Sequence, residues 1–369
     1  MRGLLLALLS TIAAAEPTTI KFTGGSASDF QALLDNAPTG AVVVCEQSNP
    51  LEVSTSILLR KPMTLRGLKA DLPPKLGKMP ILIADAEKIT LTDIEMHGNY
   101  DSVSQQHRAP LIHIKRGGFR IERCKFFDGS KDGIMVTPEG GTGDIVGGVI
   151  RDIEGARMGR DLVSLSGGNG GLRIRDVTVE NVSLKKGYHR GAVEVSDGTD
   201  NITVRHVYAE DAVYAIDVQD HGAVRKKTGN ACAPNTKVIL EDVTAVRCKH
   251  IIRTANHSPP QHADLTLRDF TGRNCEEPVR ISNTTKVFIE NLTIINDQTP
   301  SESPILLRND HHAVIRNASV QNTGKDIHAV TINTCTDVKL ERVICNGTAV
   351  EQPFVLNEDK KKTKKLKNK

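Results

Sequence analysis

The chain has 369 residues, 48 Lys and Arg against 44 Asp and Glu, and a formal net charge of +4 at pH 7. Hydrophobic residues are 38% and charged residues 25%, which excludes both a disordered chain and a membrane bundle. Aromatic residues are only 3%, with no Trp, so the core must be built from Val, Ile, Leu and Ala, which favours small, repeated, β-branched positions.

The chain opens with Arg2, an apolar run from Gly3 to Ile12, and Ala13-Ala14-Ala15. This is the pattern of a secretory signal peptide over residues 1–15, with a mature chain starting near Glu16 and released to the extracellular or periplasmic side. The run is too short to span a bilayer, and no transmembrane segment is expected elsewhere.

From residue 91 onward one short pattern recurs: an aliphatic residue, a polar pair, and another apolar residue. The copies are Leu91-Thr-Asp-Ile94, Ile121-Glu-Arg-Cys124, Ile150-Arg-Asp-Ile153, Ile174-Arg-Asp-Val177 and Val204-Arg-His-Val207, then Leu240-Glu-Asp-Val243, Leu267-Arg-Asp-Phe270, Ile289-Glu-Asn-Leu292, Ile315-Arg-Asn-Ala318 and Leu340-Glu-Arg-Val343. They are 30, 29, 24, 30, 36, 27, 22, 26 and 25 residues apart. Such a period indicates a solenoid. Segments such as Leu172–Val179 alternate apolar and polar, which is strand periodicity. Each repeat holds a second short strand, such as Gly133–Val136, Val163–Leu165 or Val193–Val195. No repeat carries an amphipathic helix. The expected fold is an all-β, right-handed parallel β-helix of about ten or more coils, forming one domain over residues 16–356.

Residues 28–67 run Ser-Asp-Phe-Gln-Ala-Leu-Leu-Asp-Asn-Ala-Pro, then Gly40-Ala-Val-Val-Val, then Met63-Thr-Leu-Arg-Gly67. With the repeats, this resembles the pectin lyase-like right-handed parallel β-helix superfamily across residues 20 to 355. The resemblance implies a short N-terminal capping helix, for which Asp29 is a cap.

Stacking turns equivalent positions into columns one strand spacing apart, about 4.7–4.9 Å. The second strands align on the inward residues Ile112, Ile134, Val163, Val193, Ile216, Ile252, Val279, Leu306 and Val330. The solvent-facing column just after them reads His113, Met135, Ser164, Glu194, Asp217, Arg253, Arg280, Leu307 and Thr331. Two positions before the inward residue stand Asp132, Asp161, Gly191, Tyr214, His250, Glu277, Pro304 and His328. Two acids followed by two bases on four consecutive rungs mark a candidate site, because like charges this close raise one carboxyl's pKa or recruit a cation.

The segment Ser130-Lys-Asp-Gly-Ile-Met-Val136 resembles the Asn-Thr-Asp-Gly motif of polygalacturonase-like glycoside hydrolases, and Arg160-Asp-Leu-Val-Ser-Leu-Ser-Gly167 resembles their Asp-Asp motif one coil later. The resemblance implies that Asp132 and Asp161 activate water. Arg160 stands where that family carries its acid, so another carboxyl, Glu194, would serve as acid, with Asp217 beside it. Hydrolysis of this inverting type wants the two carboxyls about 6.5–9.5 Å apart. Tyr188, His189, Arg190, Tyr214 and His221 line the same groove, with Lys226 in an insertion near residues 220–234 and Arg253 and Arg280 beyond. This lining suits an acidic, uronate-containing polysaccharide; a charge of +4 is a weak case for nucleic acid, and no nucleic-acid partner is expected.

Two alternatives stand beside hydrolysis. One is a polysaccharide lyase using β-elimination, with Ca²⁺ held by Glu194, Asp217 and Asp197. The other is a non-catalytic glycan-binding or structural β-helix, in which the charged columns are a solvated sheet face.

Seven cysteines, at 45, 124, 232, 248, 275, 335 and 345, make no CxxC, so a zinc site has no support; Cys248–Cys275 and Cys335–Cys345 are candidate pairs. Asn-x-Ser/Thr triplets recur at Asn181, Asn201, Asn283, Asn291, Asn317 and Asn346 and fit the repeat's use of Asn at turns. Residues 357–369 are expected to be a disordered Lys-rich tail; setting its seven lysines and Arg2 aside leaves a body near −4.

Overall fold

The computed structural model describes residues 16–74, 76, 79–100, 109–138, 143–221, 233–255, 262–297, 303–322 and 328–356. The leader, the Lys-rich tail, Cys232 and Lys226 lie outside the described residues.

Two parallel sheets wind around one aliphatic core, and the fold is the expected β-helix. Among the described residues, one sheet has 12 strands stacked in chain order from Ile57–Leu59 to Phe354–Val355; the other has 17. Crossovers between parallel strands of one sheet are right-handed, which sets the sense of the coil. Inward residues stack like on like: Ile134 pairs with Val163, Val163 with Val193, Val193 with Ile216 and Ile216 with Ile252. All five are fully buried.

The helix Ala27–Asn36 closes the N-terminal end and buries Phe30 and Leu34 against the first coils. Its N-cap is Ser26. Asp29, the expected cap, is the other half of a capping box and accepts from the Ser26 backbone N–H at 2.9 Å.

The recurrent motif marks a sharp corner in the longer sheet. Its third residue is left-handed in every coil from Asp93 to Arg342, through Arg123, Asp152, Asn181, His206, Asp242, Asp269, Asn291 and Asn317, with φ between 50° and 59°. Asn and Asp tolerate this conformation because their short side chains bond locally. Here they bond to one another along the column: Asn181 Nδ2 donates to Asp152 at 2.8 Å, Asn291 to Asp269 at 2.8 Å and Asn317 to Asn291 at 3.1 Å. The asparagines of the triplets at 181, 201, 283, 291, 317 and 346 all have positive φ, so corner geometry accounts for these triplets.

The structure corrects the frame at two points. Ile150 pairs with Val179, not Ile174, so the fourth copy of the motif is Val179-Glu-Asn-Val182. Asp176 and Asn181 are both left-handed corners, and the two segments are alike in sequence. At the eighth rung the inward residue is Ile305 and the outward one Leu306, because Val279 pairs with Ile305. Ile305-Leu306-Leu307 has no polar residue to reveal the frame. The described cysteines are free thiols, so neither candidate pair is bridged; burial pushes the Cys248 thiol up to about 11 and Cys275 to about 12.

Candidate active site

The site lies on the outer face of the 12-stranded sheet, over the strands Ile134–Val136, Val163–Ser166, Val193–Ser196 and Tyr214–Gln219. Their register brings Met135, Ser164, Glu194, Asp217, Arg253 and Arg280 into one column, as the alternation requires. A second column, three residues earlier, carries Asp132, Asp161, Gly191 and Tyr214. Four successive coils thus bring the four predicted carboxyls together. They do not face open solvent: Asp132 and Glu194 are 1% exposed, and Asp161 and Asp217 are fully buried.

Asp161 is the centre. Its Oδ1 accepts from Tyr214 Oη at 2.7 Å and from the Gly191 N–H at 3.3 Å. Its own N–H donates to Asp132 Oδ1 at 3.3 Å. Its Oδ2 is buried without a hydrogen bond, as is Oδ2 of Asp132. Burial, then the charges of Glu194 and Asp132, holds the Asp161 carboxyl well above the usual carboxylate range.

Glu194 goes the other way. Burial acts to raise its pKa, but Arg190, Arg160 and the Ser164 hydroxyl outweigh it and hold it low. Ser164 Oγ donates to Oε2 at 2.7 Å, while Arg190 Nη1 and Gln219 Nε2 both bond Oε1. Two buried carboxyls with opposed shifts are an acid and a base in the making. The motif resemblance implies the other assignment, with Glu194 as acid and Asp161 as water activator.

Two guanidinium groups roof the carboxyls. Arg190 Nη1 lies 3.7 Å from Asp161 Oδ2, and Arg160 Nη2 lies 3.8 Å from that oxygen and 3.7 Å from Glu194 Oε2. The space an inverting pair keeps for water is occupied by guanidinium.

Asp217 is clamped by Arg253, whose Nε donates at 3.0 Å and whose Nη2 bonds the other oxygen; burial nonetheless leaves the carboxyl above its ordinary value. The Arg253 guanidinium also lies 5.2 Å over the Tyr214 ring. Arg280 Nη1 donates to the Ser303 carbonyl at 2.8 Å and its Nε pairs with Glu277 at 3.4 Å. Arg253 and Arg280, two of the three arginines expected to line the groove, therefore bond within the fold. Asp197 is buried, accepts from the His221 N–H at 2.7 Å, from His221 Nδ1 at 2.8 Å and from Ser166 Oγ at 3.0 Å. Asp217 and Asp197 are thus engaged by protein donors on both oxygens, and among the described residues no three His, Cys, Asp or Glu are grouped to hold a metal. The Ca²⁺ set of Glu194, Asp217 and Asp197 does not fit. Asp197 instead orients His221, whose Nε2 lies 4.0 Å from Glu194 Oε1.

At one edge Tyr188 stacks on Tyr100, ring centroids 4.5 Å apart at 11°. Tyr100 Oη bonds His189 Nε2 at 3.0 Å. Tyr100 was not legible as a site residue, being 89 positions from His189 and in no motif. Its ring packs on Gly159, where a Cβ would stand 2.9 Å from it.

No protein-family model matches the sequence, and no curated protein matches it either. Solved structures match in fold. The A-module of mannuronan C-5 epimerase AlgE4 from Azotobacter vinelandii aligns at TM-score 0.61 and 12% identity, over 89% of this chain and 93% of its own. The N-terminal fragment of bacteriophage phi29 gene product 12 aligns at 0.58 and 13%, over 90% and 72%. A family 28 exopolygalacturonase from Yersinia enterocolitica aligns at 0.51 and 12%, over 92% and 80%. In fold, the chain is a right-handed parallel β-helix similar to these three proteins.

Proposed function

We propose that the protein is an exported glycoside hydrolase acting on an acidic, uronate-containing polysaccharide. The observation that carries this reading is the opposed shift of two buried neighbours, Asp161 raised and Glu194 lowered. Such a cluster costs stability, and folds retain that cost mainly at functional sites. The structural neighbours named as a mannuronan epimerase and an exopolygalacturonase support the substrate class.

Protonated Asp161 donates to the glycosidic oxygen as the bond from the anomeric carbon breaks. Ionised Glu194 takes a proton from the water that attacks that carbon. Asp132 and Tyr214 hold Asp161 in place, and Ser164 and Gln219 hold Glu194. The reaction needs Arg160 drawn aside, and an anionic sugar supplies the force, while Arg190 stays bonded to Glu194 and holds it ionised. The rate should follow a bell in pH, lost on the acid side as Glu194 protonates and on the alkaline side as Asp161 ionises. A rate that is flat across this range contradicts the assignment.

The burial of all four carboxyls favours one second reading, a non-catalytic glycan-binding β-helix. In that case polysaccharide is bound and recovered at its original length. A lyase is disfavoured by the donor set around Asp217 and Asp197.

A further inference from the structure

Three cations share one position on successive coils. Lys131, Arg160 and Arg190 each precede the inward residue of their strand by three, and the inward residues Ile134, Val163 and Val193 are paired in register. The Arg160 N–H donates to the Lys131 carbonyl at 3.0 Å, which fixes the two rungs together. The side chains are 21%, 19% and 21% exposed, so each has a buried inner edge and an open outer one.

Their commitments differ. Arg190 bonds Glu194 directly. Lys131 Nζ contacts Met135 Sδ at 3.1 Å and reaches Asp132 Oδ2 only at 3.8 Å. Arg160 has three carboxylates within 3.7–3.8 Å and makes no side-chain hydrogen bond to any of them. Its Nε is buried and unbonded. A guanidinium is a planar fork made for bidentate bonding to a carboxylate. Here the fork is held by charge at long range while its donors stay unused, beside buried carboxylate oxygens that also lack partners.

We infer that Lys131, Arg160 and Arg190 form an anion-binding column that receives carboxylates of a uronate chain lying along the solenoid axis. A pyranose unit is comparable in length to one rung, so successive sugars meet successive cations. Tyr100 and Tyr188, next to Gly159 and Arg190, stack on a ring at the same edge. A carboxylate on Arg160 draws the fork outward and uncovers Asp161 and Glu194. The inference rests on the substrate class proposed above, but it concerns binding and not bond cleavage.

The test is titration calorimetry of the full chain with an oligogalacturonate and with neutral maltohexaose. Wild type should bind the uronate, more weakly as salt rises, and the neutral glycan far less. Arg160→Gln should lose about 10- to 100-fold in affinity for the uronate, as expected for charged hydrogen bonds. Arg160→Lys keeps the charge without the fork and should fall between. Lys125→Gln, on the other sheet, should bind as wild type does. Should Arg160→Gln not fold, Lys131→Gln reads the same column with a smaller loss. Equal binding of both glycans by wild type, or unchanged affinity in the folded column variants, overturns the inference. Uronate binding through Arg160 without any product leaves the column standing and removes the hydrolase; cleavage of maltohexaose alone does the reverse.

Discussion

Tyr214 Oη donates a 2.7 Å hydrogen bond to Asp161 Oδ1 from two rungs away, over the intervening Gly191. Glycine makes the reach possible. A Cβ at Gly191 would lie 1.8 Å from the Tyr214 carbonyl oxygen and 2.5 Å from its ring. The absence of one side chain thus lets a buried phenol satisfy a buried acid.

This contact can be broken from either side. Tyr214→Phe leaves Asp161 Oδ1 with the Gly191 N–H alone and should cost about 1–3 kcal/mol. Gly191→Ala forces the Tyr214 strand to move and should cost at least as much, about 1–3 kcal/mol or more by overpacking. Urea unfolding of both variants checks this; wild-type stability in either contradicts the geometry.

The two central acids should respond oppositely to neutralisation. Asp161 has a raised pKa, so its proton uptake stabilises the fold at low pH, and that stability is lost as pH rises. Asp161→Asn imitates the protonated form and should be more stable than wild type at pH 8, with the gain vanishing below about pH 4. Glu194 has a lowered pKa, so its contribution is present at neutral pH and lost on acidification. Glu194→Gln strands Arg190 and should cost about 3–5 kcal/mol at pH 7. Thermal melts across pH 4–8 separate the two.

Asp310 offers the same linkage away from the site. It is fully buried, accepts from the Thr284 N–H at 2.8 Å and the Arg308 N–H at 2.9 Å, and burial pushes its carboxyl up to about 7. The unfolded chain releases this proton near pH 4, so the fold should lose stability from about pH 4 up to about pH 7, on the order of 4 kcal/mol. Asp310→Asn should flatten that slope in denaturant titrations.

The corner ladder is open to a simpler check. Asn291 has φ 57° and donates to Asp269 while accepting from Asn317. Asn291→Ala loses both bonds in a conformation that disfavours Cβ, and should cost about 1–2 kcal/mol. Asn291→Gly keeps the backbone unstrained and should cost less. An alanine variant as stable as glycine contradicts the corner's role.

Most of the architecture was legible because one steric demand repeats. Each coil needs a left-handed residue at its corner, and Asp, Asn, Arg or His answers it ten times between Asp93 and Arg342. The same demand misled at Asp176, where a second corner in the same coil carries the same residue type. Alternation placed Glu194 and Asp217 side by side, but it shows only which way a side chain leaves the sheet. Their burial depends on Arg190 and Arg253 folding back over them, and nothing in strand periodicity encodes that. The opposed shifts of Asp161 and Glu194 were hidden for the same reason, since they follow from how the guanidinium groups fold over the two carboxyls. Tyr100 enters the site only because coils stack, across a separation no local motif spans.

The central claim is that Asp161 and Glu194 cleave an anionic glycan by hydrolysis. The most direct measurement is product analysis after incubating the full chain with polygalacturonate and alginate, following reducing ends together with ultraviolet absorbance of unsaturated uronate. The account predicts new reducing ends without the absorbance, and a loss of about 10²-fold or more in folded Asp161→Asn. Absorbance rising with the reducing ends, or turnover unchanged in Asp161→Asn, contradicts it.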